Sequence, residues 1–431
     1  MSPTPPTARP GLSRLALCST LALVCTLTGA HTSHADEPDS GEYTLTLLQP
    51  ADGHTVAAAY GINESGDVTG ITRPGSAAQP QQAALWTTGT TRATALPQLN
   101  DSRFGRGFDL SATTTVAGEA FDAAGVSVPV AWTKDSVAQL PSVSPLGRGV
   151  AVDIAETGRV LGVAHDGAMG VAYVIDGTTP TALAAPSPDE GTLSSYRAAA
   201  ISPDGRWVAG VSWVDVPHGD HSHRESLLTI WQDGRPITWE PEDHGPGISP
   251  AGILDSGLVV GTVKPRKHAV AATWRDGTLT TLTDPGIEGF PHVTATAGNT
   301  SGLIVGTASR FEGNSGFGGA AVAWRDGTPV DLNTLVTLPE GVTLQDARDI
   351  NGAGQIVGTA RTAEGTVGYL LTPRRTPAPT PNPSPGPSTG PTTAPAPSSA
   401  PTAAPTPSPG ATRGIPAHPA PSRPGLPGTG D

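Results

Sequence analysis

Apolar and polar residues alternate in short runs along most of this chain, and glycine, proline, asparagine or aspartate separates one run from the next. Examples are "TLTLL" (residues 44–48) and "TLTTL" (residues 278–282). A period of two residues is typical of β-strands that bury one face. No stretch of comparable length has the period of an amphipathic helix. The pattern therefore predicts an all-β domain built from many short strands.

One unit of this pattern recurs seven times. Two well-preserved copies are "GINESGDVTG" (residues 61–70) and "DINGAGQIVG" (residues 349–358). Each copy ends in a glycine, and these glycines are 44 to 52 residues apart, at Gly70, Gly118, Gly162, Gly210, Gly261, Gly306 and Gly358. A fixed period in this range marks a repeat architecture and is the length of a four-stranded propeller blade.

Each unit continues with an aromatic residue after a loop of variable length. These aromatics are Trp86, Trp132, Tyr173, Trp231, Trp274, Trp324 and Tyr369. Several lead into Asp-Gly, as at residues 276–277, which is a strong signal for a two-residue hairpin turn. One unit thus predicts four strands, with the repeated aromatic packed between blades. Trp207, Trp213 and Trp239 fall outside this register and are better candidates for exposed functional positions, although packing is the commoner role.

The seventh unit ends before a fourth strand appears. Proline-rich sequence follows its last strand, residues 368–372, whereas residues 43–48 precede the first complete unit. We predict that these two segments pair, because neither end then leaves a bare edge strand. The predicted fold is all-β: a seven-bladed β-propeller of four-stranded blades over residues 36–375, closed by an N-terminal strand.

The unit Gly-Ile-Asn-x-x-Gly-x-Val-x-Gly, followed by Ala-x-x-Trp, resembles the HAF-type repeat of bacterial extracellular proteins. The resemblance spans roughly residues 56–371, with "QAALW", "PVAW" and "AVAW" where the family has His-Ala-Phe, and the second unit lacks the turn glycine. "SPDGRWVAG" (residues 202–210) also resembles a TolB-type repeat. These resemblances imply a secreted protein with a propeller fold. They imply no particular reaction, because the activity of the HAF family is mostly unassigned.

The start of the chain predicts export. Residues 1–35 combine a short basic start, an apolar run and Ser-His-Ala before the expected cleavage point, as in a signal peptide. Cys18 and Cys25 are the chain's 2 cysteines and both lie in this segment. The mature protein is therefore expected to have no thiol and no disulfide, and its stability must come from its core and hydrogen bonds.

The overall charge is acidic. The chain has 38 Asp and Glu residues against 25 Lys and Arg residues, a formal charge of −13, and loss of two leader arginines gives 23 − 38, or −15. Such a surface argues against nucleic acid or anionic lipid as a partner. No transmembrane helix is expected in the mature chain.

The C-terminal region changes composition abruptly. Residues 376–425 are rich in proline, threonine, alanine and serine, which predicts a disordered, extended stalk. Residues 426–431 follow, and five of them resemble the LPxTG sorting motif of Gram-positive surface proteins: Leu426, Pro427, Gly428, Thr429 and Gly430. The resemblance implies cleavage by sortase between the threonine and the glycine. No apolar helix follows, so two interpretations stay open: a sequence cut short after the motif, or a freely secreted protein with a chance match.

Two units have long loops between the closing glycine and the aromatic. The loop of the fourth unit contains Asp215, His218, Asp220, His221 and His223. Imidazole and carboxylate groups are suitable ligands for a transition metal, so the three histidines are candidate metal ligands. No fixed spacing supports this hypothesis, and a solvated polar loop is the alternative.

The loop of the sixth unit contains Arg310, Phe311 and Glu312, a polar and aromatic set that is a second candidate contact surface. No catalytic residue is predicted, because the one Gly-x-Ser-x-Gly match, residues 386–390, lies in the stalk where no strand-to-helix elbow forms. No cofactor is predicted either. In propellers, ligands bind on one face at the mouth of the central channel.

We therefore predict a secreted or cell-wall-displayed binding module of a Gram-positive bacterium. An extracellular protein or a glycan is the expected ligand, and sortase is a further expected partner. The alternative is a secreted propeller enzyme, such as a polysaccharide hydrolase or lyase. Binding without product formation distinguishes the module from the enzyme.

Overall fold

A computed structural model describes residues 41–374, except residues 76–79, 103, 167–168, 189, 220, 242–246, 265–266 and 311–317. The predicted signal peptide, stalk and sorting motif lie outside the described residues. Within the described part, twenty-eight strands form seven antiparallel sheets of four strands each. The predicted seven-bladed β-propeller is confirmed. No helix among the described residues is long and apolar enough to cross a membrane.

The first strand, β1 (Tyr43–Leu48), precedes blade 1. Blade 1 contains β2 (Val56–Ile62), β3 (Val68–Arg73), β4 (Gln82–Trp86) and β5 (Thr94–Ala95). Blade 2 contains β6 (Gly105–Leu110), β7 (Val116–Phe121), β8 (Ser127–Thr133) and β9 (Ser136–Gln139). Blade 3 contains β10 (Gly149–Ile154), β11 (Val160–Asp166), β12 (Met169–Asp176) and β13 (Thr179–Ala182). Blade 4 contains β14 (Thr192–Ile201), β15 (Trp207–His218), β16 (His221–Gln232) and β17 (Arg235–Trp239).

The remaining blades follow the same order. Blade 5 contains β18 (Ile248–Ile253), β19 (Val259–Val263), β20 (Val270–Arg275) and β21 (Thr278–Thr281). Blade 6 contains β22 (His292–Gly298), β23 (Ile304–Ser309), β24 (Gly319–Arg325) and β25 (Thr328–Asp331). Blade 7 contains β26 (Thr343–Ile350), β27 (Ile356–Thr362), β28 (Gly365–Pro373) and, as its outer strand, β1. Short 3-10 turns lie between blades at Leu99–Asp101 and Leu332–Thr334.

The ring closes as the sequence predicts. Strand β1 pairs antiparallel with β28, from Tyr43 opposite Pro373 to Leu48 opposite Gly368. Tyr43 and Leu48 are buried, and the Arg374 amide donates a further bond of 2.9 Å to the carbonyl of Glu42. Blade 7 therefore takes strands from both ends of the domain, and strand pairing together with these buried side chains holds the ring shut.

The two faces of the ring carry different connections. The second-to-third connections, such as residues 122–126, and the blade-to-blade connections emerge on one face, which we call the hairpin face. The first-to-second turns, such as residues 63–67, and the third-to-fourth turns, such as residues 233–234, emerge on the opposite face, which we call the turn face. This follows from the alternating direction of the four strands in each blade.

The glycine that ends each sequence unit is required by a close backbone approach. Each inner strand contains a β-bulge opposite this glycine. In six blades a Cβ atom at the glycine would overlap a carbonyl oxygen of the inner strand, as at Gly306 against Thr294, and in blade 3 it would overlap the ring of Tyr173. The glycine recurs in every unit because a larger residue would leave no room for the bulge. The bulge turns one extra inner-strand residue toward the ring axis.

The repeated tryptophans pack between blades, as predicted. Trp86, Trp132, Trp231 and Trp324 are fully buried. Each indole N–H donates to a carbonyl just after the outer strand of the preceding blade, at 2.7 to 2.9 Å. A buried indole N–H needs such an acceptor, so these tryptophans fix the spacing of neighbouring blades.

Three buried asparagines form a second set of inter-blade contacts. Each accepts backbone N–H bonds from its own turn through its side-chain oxygen. The side-chain nitrogen donates to the next blade: Asn299 to the Asn351 carbonyl at 3.0 Å, Asn351 to the Asn63 carbonyl at 3.0 Å, and Asn63 to the Ser111 carbonyl at 2.9 Å. These bonds join blades 6, 7, 1 and 2 in sequence, across the closing seam.

Candidate functional site

The seven inner strands enclose a cavity of about 220 Å³ on the ring axis. Its walls include turn residues of several blades, such as Glu64, Glu156 and Asn351, so it lies toward the turn face. Three successive levels of inner-strand side chains face the axis. The level nearest the hairpin face consists of Ala58, Arg106, Val150, Arg197, Ser249, Thr294 and Asp346. The middle level consists of Tyr60, Phe108, Val152, Ala199, Ala251, Thr296 and Arg348.

The third level is made by the residues that directly follow the unpaired residue of each bulge, and three of them are aspartates. Its members are Gly61, Asp109, Asp153, Ala200, Gly252, Ala297 and Asp349. Because Asp349, Asp109 and Asp153 belong to blades 7, 2 and 3, the carboxyl groups gather on one side of the axis. The bulge therefore aims acidic side chains into the cavity from only part of the ring.

Two of these carboxylates connect neighbouring blades. Asp349 of blade 7 accepts the Ile62 amide of blade 1 at 2.9 Å. Asp153 of blade 3 accepts the Ile201 amide of blade 4 at 2.8 Å. Each also accepts the amide of the residue that follows it, at 2.8 and 2.9 Å. Each carboxylate oxygen of these two aspartates thus accepts one backbone amide. Their carboxyl groups therefore serve a structural role.

Burial and mutual repulsion raise the pKa values of the three aspartates. Burial, followed by the charges of Asp153 and Asp349, raises the pKa of Asp109 well above its usual range. Burial raises the pKa of Asp153 to about 6, although hydrogen bonds from Asp109 and two amides oppose the shift. Burial raises the pKa of Asp349 to about 7 against two opposing amide bonds. Burial and the neighbouring carboxylates thus favour the protonated forms in this trio, whose titrations are coupled.

Two glutamates at the turn-face end of the cavity are also held by backbone amides. Glu156 accepts the Glu64 amide at 2.9 Å, and Glu64 accepts the Gly352 amide at 2.8 Å. Burial raises the pKa of Glu156, and the charge of Glu64 acts in the same direction. Among the described residues, no group of three or more His, Cys, Asp or Glu side chains is arranged to hold a metal ion. The cavity is therefore an acidic, hydrogen-bonded junction between blades.

Arg348 separates this acidic level from the hairpin face. Its guanidinium carbon lies 5.2 Å from the centre of the Tyr60 ring, and its Nη2 lies 3.0 Å from Asp346 Oδ2. Burial lowers the pKa of Arg348, but the charges of Asp346 and Tyr60 outweigh it, and the net shift is upward. Arg348 therefore stays charged inside the channel, stacked on an aromatic face.

The residues nominated in blade 4 lie at the opposite end of the molecule from this cavity. Asp215, His218, His221 and His223 belong to the long β15–β16 hairpin, which projects from the hairpin face. Asp215 pairs with Arg224 at 2.9 Å and is partly exposed, while the three histidines are exposed. Asp220 lies outside the described residues. The structure thus separates the nominated loop from the cavity.

The residues nominated in blade 6 are described only in part. Arg310 follows β23 and is exposed at the hairpin face. Phe311 and Glu312 lie outside the described residues. The long loop of the sixth unit does begin at the hairpin face. Of its three nominated residues, Arg310 lies there.

Sequence reasoning nominated Trp213 but missed the arginine and aromatic cluster at the hairpin face to which it belongs. In blade 4 the exposed Arg197 guanidinium carbon lies 5.6 Å from the centre of the half-buried Trp213 ring. In blade 2 the Arg106 guanidinium carbon lies 5.4 Å from the centre of Phe104, which stacks on Phe121 at 4.2 Å. We call these five residues the Arg–aromatic surface.

The two halves of this surface occupy equivalent positions. Arg106 and Arg197 both belong to the channel level nearest the hairpin face. Phe121 and Trp213 both lie three residues after the closing glycine of their unit. Blades 2 and 4 therefore place an arginine and an aromatic residue at equivalent positions on either side of blade 3, although Arg106 contacts Phe104 and not Phe121. An aromatic residue three positions after the closing glycine is the sequence signal that could have identified these positions. Loop length, the criterion used in the sequence analysis, does not reveal them.

The three tryptophans outside the repeat register divide into two groups. Trp207 and Trp239 pack against the buried core of blades 4 and 5, and the Trp239 ring lies 6.0 Å from that of Trp274. Trp213 instead contacts an exposed arginine near the channel mouth. Only Trp213 among them is placed to meet a ligand.

No family model and no curated protein matches this sequence. Solved structures with a similar fold include the β-propeller domain of the Trilobed protease from Pyrococcus furiosus (12% identity, 73% of this chain and 95% of that chain, TM-score 0.47). TolB from Acinetobacter baumannii is also similar (12% identity, 72% and 64%, TM-score 0.38). So is the Aleuria aurantia lectin in complex with α-methyl-L-fucoside (12% identity, 70% and 99%, TM-score 0.35). At these identities the likeness concerns the fold alone.

Proposed function

We propose that this propeller is a glycan-binding module that takes its ligand on the Arg–aromatic surface. The main observation is the stack of Arg197 on Trp213. Two blades away Arg106 also lies over an aromatic ring, that of Phe104, but its Nη1 is paired with Glu119 Oε1 at 3.4 Å. Arg197 is exposed, and none of the described acidic side chains forms an ion pair with it. Its guanidinium N–H groups are therefore open to a ligand.

The chemistry of this surface suits a sugar chain. A sugar ring has an apolar face of C–H groups that packs on an aromatic ring, and a rim of hydroxyl groups that accept hydrogen bonds. Arginine offers five donors in a planar fork and binds a carboxylate through two of them. A glycan that carries uronic acid groups fits best, because Arg197 places an exposed cationic group within an otherwise acidic protein.

The shape of the hairpin face also favours an extended ligand. The half-sites of blades 2 and 4 lie on either side of blade 3, and the β15–β16 hairpin projects beside the second of them. Two separate contacts on one chain raise the apparent affinity beyond that of either alone. A polymer that reaches both half-sites should therefore bind more tightly than its monosaccharide.

The display of this module is proposed from the sequence. The signal peptide, the proline-rich stalk and the LPxTG-like residues support secretion and sortase-mediated attachment to a Gram-positive cell wall, and the HAF resemblance supports an extracellular role. Fractionation of cells that express the gene tests this: wild-type protein should stay with the wall, and a Thr429→Ala variant should appear in the medium. Recovery of both proteins from the medium would rule out wall attachment.

Titration of the untagged domain with neutral and uronate-containing oligosaccharides tests the binding site. We expect Trp213→Ala and Arg197→Ala each to weaken binding by about tenfold or more, as for central contacts of an interface. Arg275→Ala is the matched control, because Arg275 is an exposed arginine on the turn face. Equal affinity in wild type and both surface variants would contradict the assignment.

The same samples decide between binding and catalysis. Release of new reducing ends or unsaturated sugars during incubation would establish the second candidate, a polysaccharide hydrolase or lyase. Stable binding with no product after prolonged incubation is the result we expect. Protein ligands form the remaining class, and saturable binding to a wall protein with no response to any glycan would favour them.

A further inference from the structure

The β15–β16 hairpin places three histidines on one face. His218 lies directly opposite His221 across the two strands, and His223 follows two residues later on the same strand as His221. Cross-strand neighbours share a face, as do residues two apart in a strand. The three imidazoles therefore project from the same side of the hairpin, within roughly 5 to 8 Å of one another at their Cβ atoms.

The neighbouring side chains support this arrangement. The rings of His218 and His223 lie 6.1 Å apart, edge to face. Glu225 occupies the same hairpin side, and its Oε1 lies 2.6 Å from His223 Nε2. The Glu225 side chain is 16% exposed and that of His223 is 51% exposed, so a more buried carboxylate anchors a more exposed imidazole.

The opposite side of the hairpin is occupied by other contacts. Arg224 donates to Asp215 across the hairpin at 2.9 Å and to Ser194 of β14 at 2.9 Å. These bonds hold the register that brings His218 opposite His221. Trp213 also points to this side, so the histidine face is distinct from the Arg–aromatic surface.

We propose that His218, His221 and His223 form a binding site for a divalent transition metal ion such as Zn²⁺. Neutral imidazole is a preferred Zn²⁺ ligand, with Zn–N distances of about 2.0 to 2.1 Å. The three histidines are not yet arranged around one point, and exposed side chains reach that geometry by rotation about χ1 and χ2. Three imidazoles leave the fourth tetrahedral position open to water or to a ligand group.

Glu225 acts as a positioning residue in this site. By accepting the Nε2–H of His223, it selects the tautomer in which Nδ1 carries the lone pair and faces the metal. A carboxylate behind a ligating histidine fixes the ring and increases its basicity, and removal of such a partner typically costs 10- to 100-fold in metal affinity. The site does not depend on the proposed glycan function, because it uses other residues on another side of the hairpin.

Calorimetric titration of the untagged, EDTA-treated protein with Zn²⁺ tests the proposal. We expect one Zn²⁺ per chain, bound with a Kd of about 10 μM or below. Binding should weaken as the pH falls from about 7.5 to about 5.5, because protonated imidazole cannot ligate a metal. Co²⁺ in place of Zn²⁺ should give the visible absorption of a tetrahedral nitrogen-ligated ion.

Variants separate this site from other histidines. Combined His218→Asn, His221→Asn and His223→Asn substitutions should abolish stoichiometric binding without changing the melting temperature, because all three side chains are exposed. The matched control is His268→Asn with His292→Asn, a pair whose rings lie 5.1 Å apart but in which His292 Nδ1 already accepts the Ala269 amide at 3.2 Å. Unchanged Zn²⁺ affinity in the triple variant, or no binding by the wild-type chain, would overturn the proposal. Unchanged affinity in Glu225→Gln would overturn the positioning role of Glu225.

Discussion

Single residues at the bulges make the closed ring dependent on pH. Asp109, Asp153 and Asp349 face one another near Arg348, which is already paired with Asp346, and near Glu156 at the cavity wall. Their pKa values in the folded chain lie above the value of about 3.9 for a free aspartate. The folded state therefore binds protons that the unfolded chain has released. This stability is complete below about pH 4 and is lost as the pH rises through the folded values, about 6 for Asp153 and about 7 for Asp349.

We predict that Asp109→Asn stabilises the protein at alkaline pH. An asparagine oxygen still accepts the Leu110 amide, and its NH₂ group donates to Asp153 without adding a charge. The free energy of unfolding should match wild type at about pH 4.5 and exceed it at pH 8, because the asparagine removes a carboxyl group whose ionisation is disfavoured in the folded state. Denaturant titrations at both pH values measure the difference.

The control for this prediction is Asp52→Asn. The Asp52 side chain is 93% exposed, so its loss should leave the pH dependence as in wild type. If the free energies of unfolding of wild type and Asp109→Asn differ by the same amount at every pH between 4.5 and 8, the carboxylate trio does not control the pH dependence of stability.

At the scale of elements, sequence periodicity predicted most of the fold. The closing glycine and the aromatic recur in every unit, because every blade needs the bulge and the inter-blade contact, and an Asp-Gly turn follows the aromatic in units 3 to 6. The sequence analysis did not identify Asn351 and Asp153 as inter-blade contacts. Only some blades carry such residues, and each one forms its hydrogen bond with the neighbouring blade. Contacts between units that lie far apart in sequence leave no local pattern.

Strand β1 is the element on which ring closure depends most. Deletion of residues 42–48 exposes the edge of β28 and removes the buried side chains of Tyr43 and Leu48. We predict a fall in melting temperature of about 10 °C or more, because several kcal/mol of burial and pairing are lost. Scanning calorimetry measures this change.

Two further samples sharpen the test of β1. Thr44→Ala, at an exposed position of the strand, should melt as wild type does. A synthetic peptide of residues 41–50 added to the truncated protein should restore part of the loss, because the β28 edge is free to pair with it. An unaltered melting curve after the deletion would refute the role of β1 in closing the ring.

At the scale of the whole molecule, the two ends of the channel differ in the charged groups that line them. Arginines near the hairpin face carry aromatic partners, whereas the turn-face end carries carboxyl groups that accept backbone amides. Sequence reasoning selected a face by loop length, and the Arg–aromatic surface lies on that same face. It did not find the surface itself, because Arg197 and Trp213 meet only through the register of two paired strands.

Hydrogen exchange of the domain, with and without a bound uronate-containing oligosaccharide, tests the central claim most directly. Saturating ligand should slow amide exchange in β6 and β7 around Phe104 and Phe121 and in β14 and β15 around Arg197 and Trp213, and leave the turns at Glu64 and Glu156 unchanged. Protection confined to those turns, with none on the hairpin face of blades 2 and 4, would contradict the proposed site.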